Sequence, residues 1–238
     1  MSYSPDKSTW FNPDIEYLFN GEIVEYDMQS ASLSLIKEYE LLPPDKINEL
    51  SGLDKLSRNV AIGKLQRDVR GFSSALLEKF VEIRAKFIVA NSLTDDRILT
   101  VKKDAIFTIE KCQVISFGQI SFVPKSTFSS YLRFPDNSNI ELYLSDRELT
   151  VKGIGEIGLA RHRLYLLEFL RKMMMMIESR NPTIRRHLIS FIDEFKRMEL
   201  DDGYYVELNN MSQTSDPVFN LRKVIVPIVQ IVLEELRM

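Results

Sequence analysis

The sequence has one cysteine and two histidines among 238 residues, and this scarcity excludes several kinds of site. Cys112 has no partner for a disulfide within the chain, so a disulfide framework is excluded and a reducing compartment is expected. His162 and His187 lie far apart, and no cysteine or second histidine stands at ligand spacing. We therefore do not expect a structural zinc site.

The sequence also has no long apolar run and no strong excess of charge. No run approaches the roughly 20 residues that span a bilayer, and the first residues lack the layout of a signal peptide. A soluble intracellular protein without a membrane partner is therefore expected. The formal net charge is -3, which argues against a protein that coats nucleic acid everywhere, because strong non-specific binding needs an excess of Lys and Arg.

One segment departs from this charge balance. Residues 158–198 carry nine Lys or Arg against four Asp or Glu. Such an excess is typical of a surface that follows a phosphate backbone, and we assign Arg185 and Arg186 to it as nucleic-acid contacts. The alternative is an ordinary solvated helical face.

The first half of the chain is predicted to be helical after one short strand. Residues 22–26 have the composition of a strand and run into Asp27, and helical apolar spacing follows at residues 30–39. Residues 45–70 are expected to form a helical pair, and residues 72–90 a longer helix. The buried stripe of that helix should comprise Leu76, Phe80, Ile83 and Phe87.

From Arg97 onward the apolar pattern alternates, which predicts a mostly antiparallel sheet. A hairpin should present Asp104 in its turn. Further strands are expected at residues 114–123, 128–134, 140–144 and 148–152.

Beyond Gly155 the pattern becomes mainly helical again. Helices are expected at residues 158–178 and 182–198, then a strand at 204–208 and a buried apolar segment at 217–238. We therefore predict an α+β fold with two domains. Residues 1–155 would form an antiparallel sheet packed by helices, and residues 156–238 a helical domain.

Asp27 and Asp104 are the residues whose pattern points to chemistry. Nucleotidyl transfer uses two divalent ions about 3.5–4 Å apart, bridged by carboxylates, and adjacent strands can hold carboxylates at a fixed spacing. Mg²⁺ takes hard oxygen ligands of this kind. A helix N-cap for Asp27 and ordinary turn chemistry for Asp104 are the alternatives.

Two segments around these residues resemble motifs of family B DNA polymerases, the phage versions above all. Residues 26–34 (YDMQSASLS) resemble the first palm motif, and residues 101–107 (VKKDAIF) are similar to the third, an Asp-Thr-Asp-Ser turn between strands. The resemblance implies a palm fold in which Asp27 and Asp104 bind Mg²⁺ or Mn²⁺. It also implies that Ser30 lies beside the nucleotide.

Two weaker resemblances follow in the same order. Residues 117–120 with 124–128 are similar to the strands and Lys-containing turn that face the primer, and residues 151–155 (VKGIG) resemble the element that leads into the thumb. The resemblance thus spans residues 21–155 and implies a thumb-like C-terminal part. The lysines assigned here to the primer–template are Lys102, Lys103, Lys125 and Lys152. For Lys102 and Lys103 the alternative is that they are solvated turn lysines.

The sequence departs from the family in three places. The second motif, Lys followed by Asn-Ser-x-Tyr-Gly, has no full counterpart, and we expect the cations that bind the triphosphate among Arg58, Lys64, Arg67 and Arg70. Lys102 replaces the first Asp of the third motif, which should weaken metal affinity. Ser32 stands where the family has the Tyr that excludes a ribose 2′-OH, so Ser32 would line the nucleotide site with little sugar discrimination.

These features predict a minimal or split polymerase that transfers nucleotides from nucleoside triphosphates to a primer 3′ end, in the host cytoplasm if a phage encodes it. A further subunit supplying the fingers is a possible partner. The first alternative is a catalytically inactive palm-fold module that binds nucleic acid or protein. The second is an assembly protein that oligomerises through its C-terminal apolar segment.

Overall fold

The computed structural model describes residues 8–133, 140–146 and 148–152, together with isolated positions between residues 171 and 199. Two compact units emerge, Met1–Ile15 with Ile23–Thr127, and Glu16–Glu22 with Phe128–Met238. The predicted boundary near residue 155 lies outside the described residues and stays a prediction.

Helices and antiparallel sheets both occur in the described residues, which confirms the α+β class. The helices are α1 Ala31–Glu38, α2 Pro44–Gly52, α3 Lys55–Asp68 and α4 Phe72–Ala90, and a 3-10 turn covers Asp95–Arg97. The strands are β1 Trp10–Phe11, β2 Tyr17–Leu18, β3 Ile23–Met28, β4 Ile98–Val101, β5 Ala105–Thr108, β6 Ser116–Phe117, β7 Ile120–Phe128, β8 Ser130–Arg133, β9 Glu141–Ser145 and β10 Glu148–Lys152.

The predicted helices of the first half are confirmed, including the pair α2 and α3. Pro44 occupies the first position of α2, where a missing N–H costs nothing. Asp54 caps α3, and its carboxylate accepts hydrogen bonds from the N–H groups of Leu56 at 2.9 Å and Ser57 at 3.1 Å. The predicted stripe of α4 is buried in full.

The sheet of the first unit has the strand order β1-β4-β5-β3-β7-β6. The hairpin of β4 and β5 is confirmed. The single strand expected at residues 114–123 is wrong, because Gly118, with a φ of 59°, turns the chain between β6 and β7. Asp27 also lies within β3 and not after its end.

The core of the first unit forms where the helices cover this sheet. Val24, Tyr26 and Met28 alternate along β3 and belong to the same buried cluster as the stripe of α4. The ring of Phe87 lies 5.4 Å from that of Tyr26 and 4.6 Å from that of Phe122. Aromatic contacts therefore join α4 to β3 and β7, and they fix the strand that carries Asp27.

The second unit contains an antiparallel sheet in the order β10-β9-β8-β2. Its buried Glu141 accepts hydrogen bonds from the hydroxyls of Tyr143 at 2.8 Å and Tyr131 at 3.4 Å. The helices predicted from residue 158 onward fall largely outside the described residues, and the strand at 204–208 and the segment at 217–238 do so entirely. No helix in the described part of the chain is both long and apolar enough to cross a membrane.

Candidate functional site

Asp27 and Asp104 lie on neighbouring chain segments of the first sheet. Asp27 of β3 stands opposite Ala105 of β5, and the N–H of Met28 donates to the carbonyl oxygen of Asp104 at 2.8 Å. Both aspartates line one cavity of about 510 Å³. The hairpin register thus brings together the two acids that the sequence singled out.

The N-terminus of α1 forms a second wall of this cavity. Residues 28–33 make up this wall. Ser30 adopts the left-handed conformation, with φ 47° and ψ 40°, and its side chain does not cap the helix. The first N–H groups of a helix have no partner within the helix, and its N-terminus carries partial positive charge. Such a terminus binds anions, phosphate groups included.

One face of α3 forms a third wall. Its residues recur at helical spacing and bring two cations and two amides to the cavity. They are Lys55, Arg58, Asn59, Ile62 and Gln66. The cap by Asp54 fixes where this face begins, because Lys55 is the first residue of the helix. A ligand with both phosphate and polar groups could contact this wall and the N-terminus of α1 together.

Lys125 of β7 is the cation that touches Asp27. Its Nζ lies 3.2 Å from Oδ2 of Asp27 and 3.9 Å from Oε1 of Glu25. Burial alone would lower the pKa of Lys125, but the hydrogen bond to Asp27 and the charges of Asp27, Glu25 and Asp104 together raise it. The ammonium group is therefore charged at neutral pH and feels all three carboxylates.

The hairpin turn that carries Asp104 is hydrogen-bonded to a buried arginine of α4. Arg84 of α4 is fully buried, and its Nη1 donates to the carbonyl oxygens of Lys102 at 2.9 Å and Ser8 at 3.2 Å. The Nζ of Lys102 lies 5.6 Å from the centre of the Phe11 ring, which is a cation–π contact.

The lysine in contact with Asp27 is Lys125, whereas Lys102 lies over the Phe11 ring. The expected effect of Lys102 on metal affinity stays a prediction. Lys103 likewise lies over an aromatic ring, 4.9 Å from the centre of Phe80. Lys125 sits within strand β7 and not in a turn, which departs from the Lys-containing turn implied by the resemblance.

The donor set of the cavity fits a magnesium ion that keeps some of its waters. Asp27 is half-buried and Asp104 exposed, and both offer carboxylate oxygens to the cavity. Mg²⁺ in nucleotide enzymes is commonly held by one or two carboxylates plus substrate phosphates and water. Within the described residues no group of three or more His, Cys, Asp or Glu side chains is arranged to hold a metal ion. Two carboxylates are thus what this protein would contribute.

The other residues assigned from the sequence divide between the cavity and other surfaces. Ser30, Ser32 and Arg58 line the cavity, whereas Lys64 lines a separate groove between α2 and α3. Arg67 pairs with its neighbour Asp68 at 2.7 Å.

The remaining assigned cations belong to the second unit. Lys152 ends β10, with its Nζ 5.8 Å from the centre of the Tyr143 ring. Arg186 is exposed, and Arg185 lies outside the described residues.

Two cavity residues, Lys55 and Asn59, were missed by the sequence interpretation. Both lie on the face of α3 that lines the cavity. The expectation that the triphosphate-binding cations are among Arg58, Lys64, Arg67 and Arg70 stays a prediction, and Lys55 is a further cation at the cavity.

Comparison with known proteins gives one result. A family model described as bacteriophage PBS1 gene 130 protein matches residues 3–235. The chain therefore belongs to this family of phage proteins, which confirms the expected phage relationship and leaves the polymerase resemblance a prediction. A search among curated proteins found no match.

Proposed function

We propose that this phage-family protein transfers nucleotides from nucleoside triphosphates to the 3′ end of a nucleic-acid primer, in the cytoplasm of the host. One observation carries the proposal. A single cavity joins the carboxylates of Asp27 and Asp104 to a helix N-terminus and to the cationic face of α3. Acidic groups for a metal and basic groups for phosphates thus share one space, as phosphoryl transfer requires.

The phosphate side of the cavity is built from α1 and α3. The N–H groups at the start of α1 would donate hydrogen bonds to the triphosphate, because the side chain of the N-cap residue Ser30 does not cap them. Lys55 and Arg58 would neutralise its charge from the α3 wall. Ser32, on the first turn of α1, would lie near the sugar, where its small side chain leaves room for a 2′-OH.

Asp27 and Asp104 would hold Mg²⁺ or Mn²⁺ on the opposite side. When bound, the divalent ions supply activation of the attacking 3′ oxygen and neutralisation of the leaving pyrophosphate. The chain itself positions these residues. The main-chain hydrogen bond from Met28 to Asp104 holds β3 against the hairpin, and Asp27 and Asp104 are thereby kept on neighbouring segments. Arg84 holds the turn in place beneath them.

Six cations are proposed to contact the primer–template. Lys102, Lys103 and Lys125 belong to the first unit, and Lys152, Arg185 and Arg186 to the second. Contacts of this kind go to phosphates and make binding salt-dependent. A second subunit that completes the fingers is also part of the proposal, since the second motif of the family has no full counterpart in this sequence.

Primer extension tests the proposal. The protein is incubated with a primer–template, Mg²⁺ or Mn²⁺, and deoxy- or ribonucleoside triphosphates in separate reactions. Extension is expected with the wild type and lost with Asp27→Asn or Asp104→Asn, because each change removes a metal-binding charge. Asp45→Asn, at an exposed position of α2, is the control and should extend normally. Extension that survives both active-site changes refutes the proposal.

A second function is favoured by the contact between Lys125 and Asp27. A positive charge on Asp27 would weaken the affinity of this carboxylate for a divalent ion, which favours a palm-fold module that binds nucleic acid or protein. Binding of primer–template without extension in any divalent metal, together with no metal binding in solution, supports this reading over the first.

A further inference from the structure

The contact of Lys125 with Asp27 places a positive charge of the protein against one of the two carboxylates proposed to hold a metal. The ammonium lies at 3.2 Å from Asp27 Oδ2, within ion-pair distance, and also faces Glu25 at 3.9 Å. Glu25 is 3% exposed and Asp27 has only a part of its side chain in water. Two acids on one face of β3 thus share one lysine.

The position of Lys125 follows from the strand order. In the sheet β7 is the neighbour of β3 on the side away from β5, so Lys125 and Asp104 approach Asp27 from opposite strands. The lysine belongs to a nine-residue strand, which fixes its backbone, while its side chain is 55% exposed. The flexible stem of a lysine can therefore swing into solvent without any change in the sheet.

We infer that Lys125 is an internal counter-ion that occupies Asp27 in the metal-free protein and leaves it when a divalent cation enters. The inference rests on the proposed metal site and adds its regulation. An ammonium group and a divalent ion repel each other at close range, so Lys125 and a metal ion that binds Asp27 compete for this carboxylate. The lysine offsets part of the negative charge of Glu25 and Asp27 in the absence of metal and sets a threshold concentration for metal entry.

The contact is suited to exchange because it is weak. An ion pair with a half-exposed partner contributes little to stability, so its loss is offset easily by a divalent ion. An arginine at this position would form a bidentate pair that exchanges less readily. Release also frees the ammonium group for a phosphate of the nucleic acid.

Metal affinity of single variants tests the inference. Mn²⁺ binding is measured by electron paramagnetic resonance on the full chain for wild type, Lys125→Met and Lys103→Met. Lys103→Met is the matched control, because this substitution removes the same charge from the same region. The ammonium group of Lys103 lies over Phe80 and not on Asp27. Lys125→Met should bind Mn²⁺ about three- to tenfold more tightly, and Lys103→Met less than about twofold.

A measurement on the unmutated side chain covers the case in which Lys125→Met does not fold. Acetylation rates of Lys125 and Lys103 are compared by mass spectrometry with and without Mg²⁺. Mg²⁺ should raise the acetylation rate at Lys125 by at least about twofold, because it releases this side chain from its half-exposed ion pair with Asp27. The rate at Lys103 should not change, because Lys103 is not paired with Asp27. In Asp27→Asn the effect of Mg²⁺ should disappear.

The outcomes separate this inference from the proposed function. Tighter Mn²⁺ binding by Lys125→Met supports the exchange even if no variant extends a primer, in which case the proposed function fails alone. Equal or weaker Mn²⁺ binding by a folded Lys125→Met, or no binding by either protein, overturns the exchange. An acetylation rate at Lys125 that does not change on addition of Mg²⁺ also overturns the exchange. Primer extension by the wild type would not rescue it.

Discussion

The N–H of Met28 donates to the carbonyl oxygen of Asp104 across 2.8 Å, so the residue that follows Asp27 is bonded directly to the other candidate ligand. This bond continues the pairing of β3 with β5 by one step beyond Asp27 and Ala105. Asp27 and Asp104, which are 77 positions apart in the sequence, are thereby held near each other by main-chain pairing. The spacing of the two carboxylates consequently depends on the hairpin and on whatever supports it.

Removal of Arg84 should therefore destabilise the protein and loosen the site. In Arg84→Met, the carbonyl oxygens of Lys102 and Ser8 lose their buried donor, and we expect a loss of about 2–4 kcal/mol in the free energy of unfolding. Urea denaturation measures it. Arg70→Met, at an exposed position, is the control and should change stability by less than about 0.5 kcal/mol. Equal stability of the two variants would contradict the supporting role.

Gly118→Ala should be destabilising for two separate reasons. Gly118 has a φ of 59°, and an added Cβ would clash with Oε1 of Glu38, whose other oxygen accepts a hydrogen bond from the N–H of Gln119 at 2.7 Å. A loss of about 1–3 kcal/mol is expected.

Gly63→Ala is the matched control, because Gly63 lies within α3 and a Cβ there meets nothing within 4 Å. That change should stabilise the protein by about 0.5–1 kcal/mol. Thermal unfolding compares the two substitutions, and a stabilising Gly118→Ala would show that the turn is not constrained.

Stability should fall in acid partly through Glu82. The ammonium groups of Lys79 and Lys86, and then the hydroxyl of Tyr39, lower the pKa of Glu82 from 4.5 to about 2. Because the folded pKa lies below the unfolded one, the contribution is complete above about pH 5 and disappears as the pH falls towards 2.

The side chain of Glu82 is 35% exposed, so solvent screening limits its contribution to about 1 kcal/mol or less. Urea midpoints of wild type and Glu82→Gln, measured from pH 7 to pH 2.5, should differ most near neutrality and converge in acid. A difference that is constant over this range would exclude the ion pairs as its source.

The α3 wall predicts which arginine binds a triphosphate. Arg58→Ala should weaken binding of a nucleoside triphosphate by about tenfold, equivalent to roughly 1.4 kcal/mol, because Arg58 lines the cavity. Arg67→Ala removes the same group from the same helix but breaks only an exposed pair with Asp68, and it should bind normally. Isothermal titration calorimetry distinguishes the two, and equal losses would place the nucleotide elsewhere.

The sequence was informative wherever one local rule decides the structure. The four apolar residues of α4 recur at helical spacing, so its buried face was predictable. The alternation on both sides of Asp104 likewise predicted the hairpin. Gly118 shows the limit, since the apolar residues around it read as one strand until the positive φ is seen.

The site was less predictable because it depends on strand order and on helix orientation. Lys125 reaches Asp27 only because β7 is the neighbour of β3, and periodicity does not determine which strands pair. Lys55 and Asn59 lie on a helix with little apolar contrast between its faces, so the stripe that faces the cavity carried no hydrophobic signal.

Anomalous diffraction from crystals grown with Mn²⁺ and a non-hydrolysable nucleoside triphosphate tests the central claim most directly. The account predicts an anomalous peak within bonding distance of Asp27 and Asp104, phosphates against the start of α1 and the side chains of Lys55 and Arg58, and Lys125 withdrawn from Asp27. A nucleotide bound elsewhere, or the ion pair of Lys125 and Asp27 intact with no peak beside it at saturating Mn²⁺, would contradict it.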